Sequence, residues 1–321
     1  MPIITTVTLN PALDEAVSLE RFGLGATNRS ALDALDPGGK GVNAARVITR
    51  MGRETIALGF VGGVTGNMLR EELDAEGLLH AFDDVSELTR LNVMIYERAG
   101  GRRTRLYLPG PHVALERIAA LKVRLAQAPA GGYVIFGGSI PPGLPDDIYR
   151  DLVEWLATRG VHSIVDTSGS ALLKALQAKP ALVKPNVEEA QEVLGRALRS
   201  DEEILAGAHE LQRLGAQRVV ISQGAAGAIA SGPDGSWKAI PPAIQACSTV
   251  GSGDSMVAGL AIALSEGGDL KEGLVLGTAT GSATAMVPGT KLCKRADVEQ
   301  LIAGVHLHRL ADAVTSLTHI A

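Results

Sequence analysis

Short runs of β-branched and aliphatic residues that end in Gly, Asp or Asn alternate along this chain with longer Ala/Leu-rich segments of helical periodicity. The apolar runs include IITTVTL from Ile3, ETIALGFVG from Glu54, YVIFGG at 133–138, HSIVDT at 162–167, ALVKPN at 181–186 and RVVISQG at 218–224. Between them stand GVNAARVITRMG, NMLREELDAEG, LERIAALKVRLAQA, DDIYRDLVEWLATRG, VEEAQEVLG and EEILAGAHELQRLGA. Strands this apolar need cover on both faces, and parallel neighbours need a helical crossover between them. The alternation therefore predicts an α/β fold, a parallel sheet with helices on both sides. Ligands of such sheets bind beyond the carboxyl ends of the strands. Gly137-Gly138-Ser139, Asp166, Lys184-Pro185-Asn186 and Ser222-Gln223-Gly224 all fall at those ends.

Two regions break the rhythm. Residues 10–36 and 88–109 read as short strands (LDEAVSLE, NRSALDALD, LNVMIYER and RRTRLYLPG), a small β-sheet lid on one domain spanning residues 1–321. A small sheet leaves a face and its edges in need of cover, so a homodimer through the lid is expected.

Composition removes several classes. A net charge of -5 gives no basic footprint for nucleic acid. No apolar run approaches the ~18–20 residues of a membrane span, and MPIITTVTLNPALD reads as a buried strand rather than a secretion signal. Cytoplasmic residence is expected. Cys247 and Cys293 are the only cysteines and form no metal or disulfide pattern. The seven His residues show no metal spacing, and neither a Walker A motif nor a complete GxGxxG is present.

Chemistry concentrates in Thr249-Val250-Gly251-Ser252-Gly253-Asp254-Ser255, followed at once by the helix-like MVAGLAIAL. Glycines at a helix start expose backbone N–H groups where the positive dipole end attracts phosphate. A carboxylate beside an anion site makes sense if it must reach a neutral hydroxyl, which is the geometry of phosphoryl transfer to an alcohol. Asp is also a preferred helix N-cap; within GSGD after a Thr-Val strand end, catalysis is the stronger reading of Asp254.

A second Gly-rich turn, Pro37-Gly38-Gly39-Lys40-Gly41-Val42-Asn43, suits close backbone approach to a polyhydroxylated or phosphorylated ligand, with Lys40 and Asn43 as donors. The plainer alternative is a tight strand–helix turn with a solvated Lys. Asn186 and Glu189 share a helix face and suit the water shell of Mg²⁺, while Glu188 reads as an exposed complement to the dipole. Asp14 has the chemistry to bond sugar hydroxyls. Arg90, Arg102, Arg103 and Arg105 cluster in the lid, and such a fork clamps phosphate.

These residues together resemble the PfkB-type, ribokinase-like sugar kinases over essentially the whole chain. TLNPALD, PGGKGVNAARVITRMG, VKPNVEEAQEVLG and STVGSGDSMVAGL carry the resemblance, which is strongest to the phosphosugar branch of 6-phosphofructokinases, 1-phosphofructokinases and tagatose-6-phosphate kinases. It implies a ribokinase-like fold with a doubly wound, mostly parallel central sheet and a β lid. It implies Asp254 as catalytic base, with Gly251, Ser252 and Gly253 as the anion hole. Asp14, Gly38, Gly39, Lys40, Asn43, Arg90 and Ser139 would bind the phosphosugar. Lys184, Asn186, Ser222, Gln223, Gly224 and Gly227 would lie along ATP, with Glu189 reaching Mg²⁺ through water. Ser248, Val250, Gly289 and Lys291 would lie near a K⁺ site of the kind some members have. GTKLC and STVGSGDSMV point to fructose 6-phosphate phosphorylated at C1. Two departures stand against that choice: GGKG where those members tend to carry GGGG, and Thr27 where they can carry a Lys, with Arg29 nearby. A non-catalytic sugar-phosphate-binding regulator would be expected to have lost Asp254, and a dehydrogenase to carry the dinucleotide fingerprint.

Overall fold

The structure is a computed structural model that describes residues 4–311; Ile3, the expected start of the first strand, lies outside the described residues. In chain order the first elements are β1 (Ile4–Thr8), β2 (Ala12–Leu19), β3 (Ala31–Gly38), α1 (Lys40–Arg50), β4 (Thr55–Gly62), α2 (Gly63–Ala75), β5 (Leu79–Val85), β6 (Arg90–Glu97) and β7 (Arg102–Tyr107). Then come α3 (Arg117–Leu125), β8 (Tyr133–Gly137), α4 (Ile148–Ala157), β9 (His162–Asp166), α5 (Gly169–Leu176), β10 (Leu182–Val183), α6 (Val187–Leu194), α7 (Asp201–Arg213) and β11 (Val219–Ser222). β12 (Ala228–Gly232), β13 (Gly235–Ile240), α8 (Ser252–Ser265), α9 (Leu270–Ala285), α10 (Arg295–Ile302) and β14 (His306–Leu310) complete the chain.

Ten strands make one sheet in the order β14-β13-β12-β11-β10-β9-β8-β1-β4-β5. From β5 to β11 every pairing is parallel, as the sequence predicts. β12, β13 and β14 pair antiparallel at one edge and lie outside the six predicted runs. The turns at Gly224–Gly227 and Gly232–Gly235 leave no room for a crossover helix, so the chain must reverse there. α5, α9 and α10 are further elements that the alternation did not single out.

Alternate residues of β1 feed two separate cores. Val7 packs in the layer with Leu121 of α3, Leu152 of α4, Leu172 of α5 and Leu211 of α7. Ile4 packs in the layer with Ala44 of α1, Leu260 of α8 and Ala279 of α9. Each fully buried Val, Leu or Ile among these contributes about 1.5–3 kcal/mol relative to exposure. α8 and α9 meet backbone to backbone, since a Cβ on Gly259 would sit 2.7 Å from the Gly277 amide nitrogen.

The four strands of the irregular regions form a second sheet, β3-β2-β6-β7. It is mixed: β2 and β6 run parallel, the outer pairs antiparallel. Leu13 packs with Leu69 and Leu73 of α2, and Leu35 and Leu91 cover the same cluster. The opposite face of the small sheet looks over the carboxyl ends of the large one, because Asp14, Asn92, Met94, Arg105 and Tyr107 share a cleft with Asp166 and Lys184. After β1 the chain turns one way to β4 and β5, and later the other way to β8 and beyond. The crevice of a doubly wound sheet opens at such a reversal. Asn10, just beyond β1, donates from Nδ2 across it to Ser139 Oγ at 3.1 Å.

Candidate active site

The cleft between the sheets encloses about 1370 Å³. Its floor is the start of α8. Gly251 is the N-cap residue and takes φ 75, a left-handed conformation that favours glycine. A side chain there would also strike Leu292 Cδ2 at 2.6 Å. The first-turn amides that follow have no acceptors within the helix, and they face the cleft at the positive end of a 14-residue helix. Asp254 is the third helical residue and half-buried. Its Oδ2 accepts a hydrogen bond from Asn43 Nδ2 at 2.8 Å. Burial, then the nearby charge of Asp166, pushes the Asp254 carboxyl up to about 6, against the pull of Lys40, Asn43 and Lys184. Such a group is ionised at neutral pH yet basic enough to accept a proton.

The GGKG turn forms one wall. Gly39 takes φ 113, and a Cβ on Gly38 would lie 2.3 Å from Asp14 Oδ2, so the backbone and the Asp14 carboxylate touch. Lys40 opens α1, and its ammonium is paired with carboxylates rather than directed to bulk water. It donates to Asp166 Oδ1 at 2.9 Å and to Glu189 Oε1 at 3.0 Å. Burial alone would lower its pKa; Asp166, Glu189 and Asp254 outweigh it and raise it. Lys184, 3% exposed, stands 3.6 Å from the same Asp166 oxygen.

Further along the strand ends, Asn186 caps α6 by accepting from the Glu189 amide at 2.7 Å, and Glu189 Oε2 returns a bond from the Asn186 amide at 2.9 Å. This capping box holds one oxygen of Glu189 and leaves Oε1 for Lys40. Glu188 is exposed, as expected of a dipole complement, although it too edges the cleft. Ser222 bridges to Asn186 across the sheet end. Gly224 and Gly227 turn with φ 59 and 94, and a Cβ on Gly227 would overlap Ala239 O at 1.9 Å. Ser222, Gln223, Gly224 and Gly227 all line the cleft.

The small sheet supplies the facing wall. Asn92 Nδ2 donates to Asp14 Oδ1 at 2.8 Å across the β2–β6 pair. Burial raises the Asp14 pKa, against Asn92 and Arg90. Arg90 lines the cleft, but its two terminal nitrogens are engaged by backbone carbonyls, Nη1 by Leu108 O at 3.1 Å and Nη2 by Asn10 O at 2.9 Å. Arg105 lines the same wall, and among the described residues no ion pair or hydrogen bond holds it. Of the four lid arginines, Arg102 pairs with Glu97 and Arg103 reaches Cys247 O. Sequence reasoning chose Arg90 alone; only the strand register puts Arg105 opposite Met94 and on the cleft face.

The profile of the pfkB family carbohydrate kinases matches residues 7–297. The chain belongs to that family. It is 37% identical over 308 residues to a 1-phosphofructokinase of Bacillus subtilis, covering 96% of this chain and 100% of the relative. It is 32% identical over 302 residues to the ATP-dependent 6-phosphofructokinase isozyme 2 of Escherichia coli, covering 94% and 98%. The crystal structure of phosphofructokinase-2 from Escherichia coli in complex with potassium superposes with a TM-score of 0.91 at 32% identity, covering 95% and 99%. A tetrameric inhibited form of that enzyme superposes at 0.89, with 31% identity and the same coverage.

A pfkB-family kinase works on a nucleotide with a divalent ion, and the donors here fit one. Asp166 is 2% exposed, lines the cleft and has an Oδ2 atom without a partner. Glu189 offers Oε1 nearby. Two carboxylates plus phosphate oxygens and waters are the usual surroundings of Mg²⁺. Among the described residues no group of three or more His, Cys, Asp or Glu is placed to hold a metal by itself. The expected K⁺ residues fit less well. Ser248 Oγ donates to Gly289 O at 2.8 Å, and Val250 N reaches Ser248 Oγ at 3.3 Å, so these three do meet. Lys291 is exposed and outside the cleft lining, and an ammonium cannot ligate a cation, so its side chain has no place in such a site. Arg29 is likewise exposed and outside this chain's own cleft.

No helix among the described residues is long and apolar enough to cross a membrane.

Proposed function

We propose that this pfkB-family kinase transfers the γ-phosphoryl group of ATP to the C1 hydroxyl of fructose 6-phosphate, giving fructose 1,6-bisphosphate. The observation that carries the reading is Asp254: a carboxylate raised to about 6, held by Asn43 at the mouth of the α8 amides and facing the sugar wall. It orients the acceptor hydroxyl and takes its proton, while the Gly251, Ser252 and Gly253 amides stabilise the charge on the moving group. Gly251 keeps that turn open. Asp14, Asn43, the Gly38–Gly39 backbone and Ser139 hold the sugar hydroxyls, and Arg90 and Arg105 face its phosphate.

Lys184, Asn186 and the Ser222–Gly227 turn run along the nucleotide. Asp166, and Glu189 through water, would hold Mg²⁺, which would supply positive charge to the phosphate oxygens. K⁺ would sit by the Ser248–Gly289 contact and the backbone at Val250, and a potassium complex of the related Escherichia coli enzyme supports a role for that ion. The small sheet acts as a lid that excludes water, an acceptor that would waste ATP. The lid keeps Leu32, Tyr96, Leu106 and Leu108 exposed, which favours a homodimer built through it. ATP and phosphosugars are charged and retained in the cytoplasm, where the enzyme is placed.

Fructose 1-phosphate is the second reading. It is favoured by the 37% identical 1-phosphofructokinase and by Lys40 in the GGKG turn. Both substrates lead to the same bisphosphate, with transfer to the free primary hydroxyl at the other end of the sugar. Incubation with ATP, Mg²⁺ and a panel of fructose 6-phosphate, fructose 1-phosphate and tagatose 6-phosphate, following ADP, decides. The highest kcat/KM on fructose 6-phosphate is expected. Preference for fructose 1-phosphate moves the assignment to the second reading, and no ADP on any phosphosugar rejects both.

A further inference from the structure

The Lys40 ammonium sits between two carboxylates that come from different strand ends, 126 and 149 residues away. Its contacts bring Asp166 Oδ1 and Glu189 Oε1 to within about 6 Å of each other. Nothing local requires this. A lysine at the first position of a helix following a glycine turn ordinarily points to water, and Lys40 is 30% exposed, on the cleft side. Glu189 is turned toward it by the capping box, which fixes Oε2 on the Asn186 amide and directs Oε1 inward. Asp166 offers it one buried oxygen and keeps the other without a partner. Lys184, 3.6 Å from Asp166 Oδ1, balances one carboxylate, but among the described residues Glu189 has no ion pair other than Lys40, so the pair of inward carboxylates still needs a second cation when the cleft holds no nucleotide.

We infer that Lys40 is the resident counter-cation of this cleft: its ammonium occupies the position between Asp166 and Glu189 that the divalent ion of the nucleotide takes over, and the two cations exclude each other. This rests on the kinase reading above and adds to it a role for Lys40 that precedes sugar binding. The exclusion follows from Coulomb's law, since an ammonium and a divalent ion sharing the same two oxygens would stand within about 4 Å and repel strongly in a low-dielectric cleft. Lys40 is equipped to leave. Its side chain is partly exposed on the cleft side, and a four-carbon chain swings without moving the helix. The ammonium already feels the Asp254 charge where it stands, and a transferring phosphoryl group beside Asp254 would provide it with new acceptors on release. The unloaded site thus stays charge-balanced, and it resists the metal ion alone.

The test uses Mn²⁺ alone, titrated into the full chain without nucleotide or sugar and followed by electron paramagnetic resonance. The wild type is expected to bind weakly. Lys40→Met is expected to bind at least about tenfold more tightly, because the two carboxylates lose their internal cation. Adding Glu189→Gln to that variant is expected to return affinity to the wild-type level, and Lys40→Arg, which keeps the charge, is expected to resemble the wild type. Should Lys40→Met fail to fold, Lys40→Gln carries the same expectation, with an amide still donating to Asp166. Unchanged affinity on loss of the charge overturns the inference. So does tight binding that survives Glu189→Gln, or tight binding by Lys40→Arg. No sugar is present in the titration, so a wrong substrate assignment leaves its outcome readable.

Discussion

Asn43 on α1 donates from Nδ2 to Asp254 Oδ2 on α8 at 2.8 Å, a contact between residues 211 positions apart. It joins the sugar-side turn to the helix whose amides face the phosphates, and it fixes the direction in which the Asp254 carboxylate presents its other oxygen. The bond also stabilises the ionised form, which limits how far burial can push the carboxyl toward neutrality.

Replacing Asp254 should therefore separate chemistry from folding. Asp254→Asn keeps the shape and the Asn43 partner but removes the base. It is expected to lower kcat by about 10²–10⁴, with a thermal melting point no lower than that of the wild type. Steady-state kinetics with calorimetry checks both. Near-normal turnover would remove Asp254 from its role.

The acid limb of the pH–rate profile should report the same group. Its folded pKa of about 6 lies above the ordinary 3.8 of an Asp carboxyl, so the active ionised form is lost as pH falls through 6. A decline in kcat/KM of about tenfold per pH unit is expected below that point. Stability should move the other way. A carboxyl that binds its proton more tightly when folded adds stability as pH falls from above 6 toward 4. Asp254→Asn should abolish that contribution in pH-dependent unfolding.

Among the described residues no hydrogen bond or ion pair occupies the Arg105 guanidinium on the cleft wall. Arg105→Ala is expected to raise KM for the phosphosugar by about 10–100-fold with kcat within about threefold, the pattern of lost uniform binding. Arg90→Ala should cost folding stability as well, because its terminal nitrogens hold Asn10 O and Leu108 O in place. Kinetics alongside denaturation distinguishes the two arginines.

Gly38 lies against the Asp14 carboxylate with no room for a methyl group. Gly38→Ala is expected to displace Asp14 and raise KM for the sugar at least about tenfold, since a shift of about 1 Å at a positioning residue costs that much or more. KM for ATP should barely change, which initial-rate kinetics with each substrate varied will show.

Arg46 makes a different kind of contribution. It is 1% exposed and holds Glu76 with Nε and Nη2 and Pro37 O with Nη1. Arg46→Met leaves Glu76 with only Arg50, and is expected to cost about 3 kcal/mol of stability. Removing Glu76 as well should restore part of it. Denaturant unfolding measures the difference.

The elements that were legible in the sequence are those whose signal is local. Apolar runs with Gly or Asp at their ends became β1, β4, β8, β9, β10 and β11, and the GSGD and GGKG turns became helix starts with the expected backbone. Asn186 with Glu189 was legible as a pair but not as a capping box, since one spacing serves a metal and a cap alike. Lys291 rests on family position alone, since its exposed ammonium carries no local signal for a cation.

What the sequence determined alone, then, is periodicity and turn chemistry: which segments bury one face, and where glycine lets the backbone turn and approach a ligand. These depend on side chains a few residues apart. Which charges meet was decided only when strand order brought the ends of β1, β8, β9 and β10 side by side. Lys40 found Asp166 and Glu189, and Arg105 rather than Arg102 reached the cleft, because electrostatic partners are chosen by distance in space and by the parity of a strand register. Neither quantity exists until the sheets have formed.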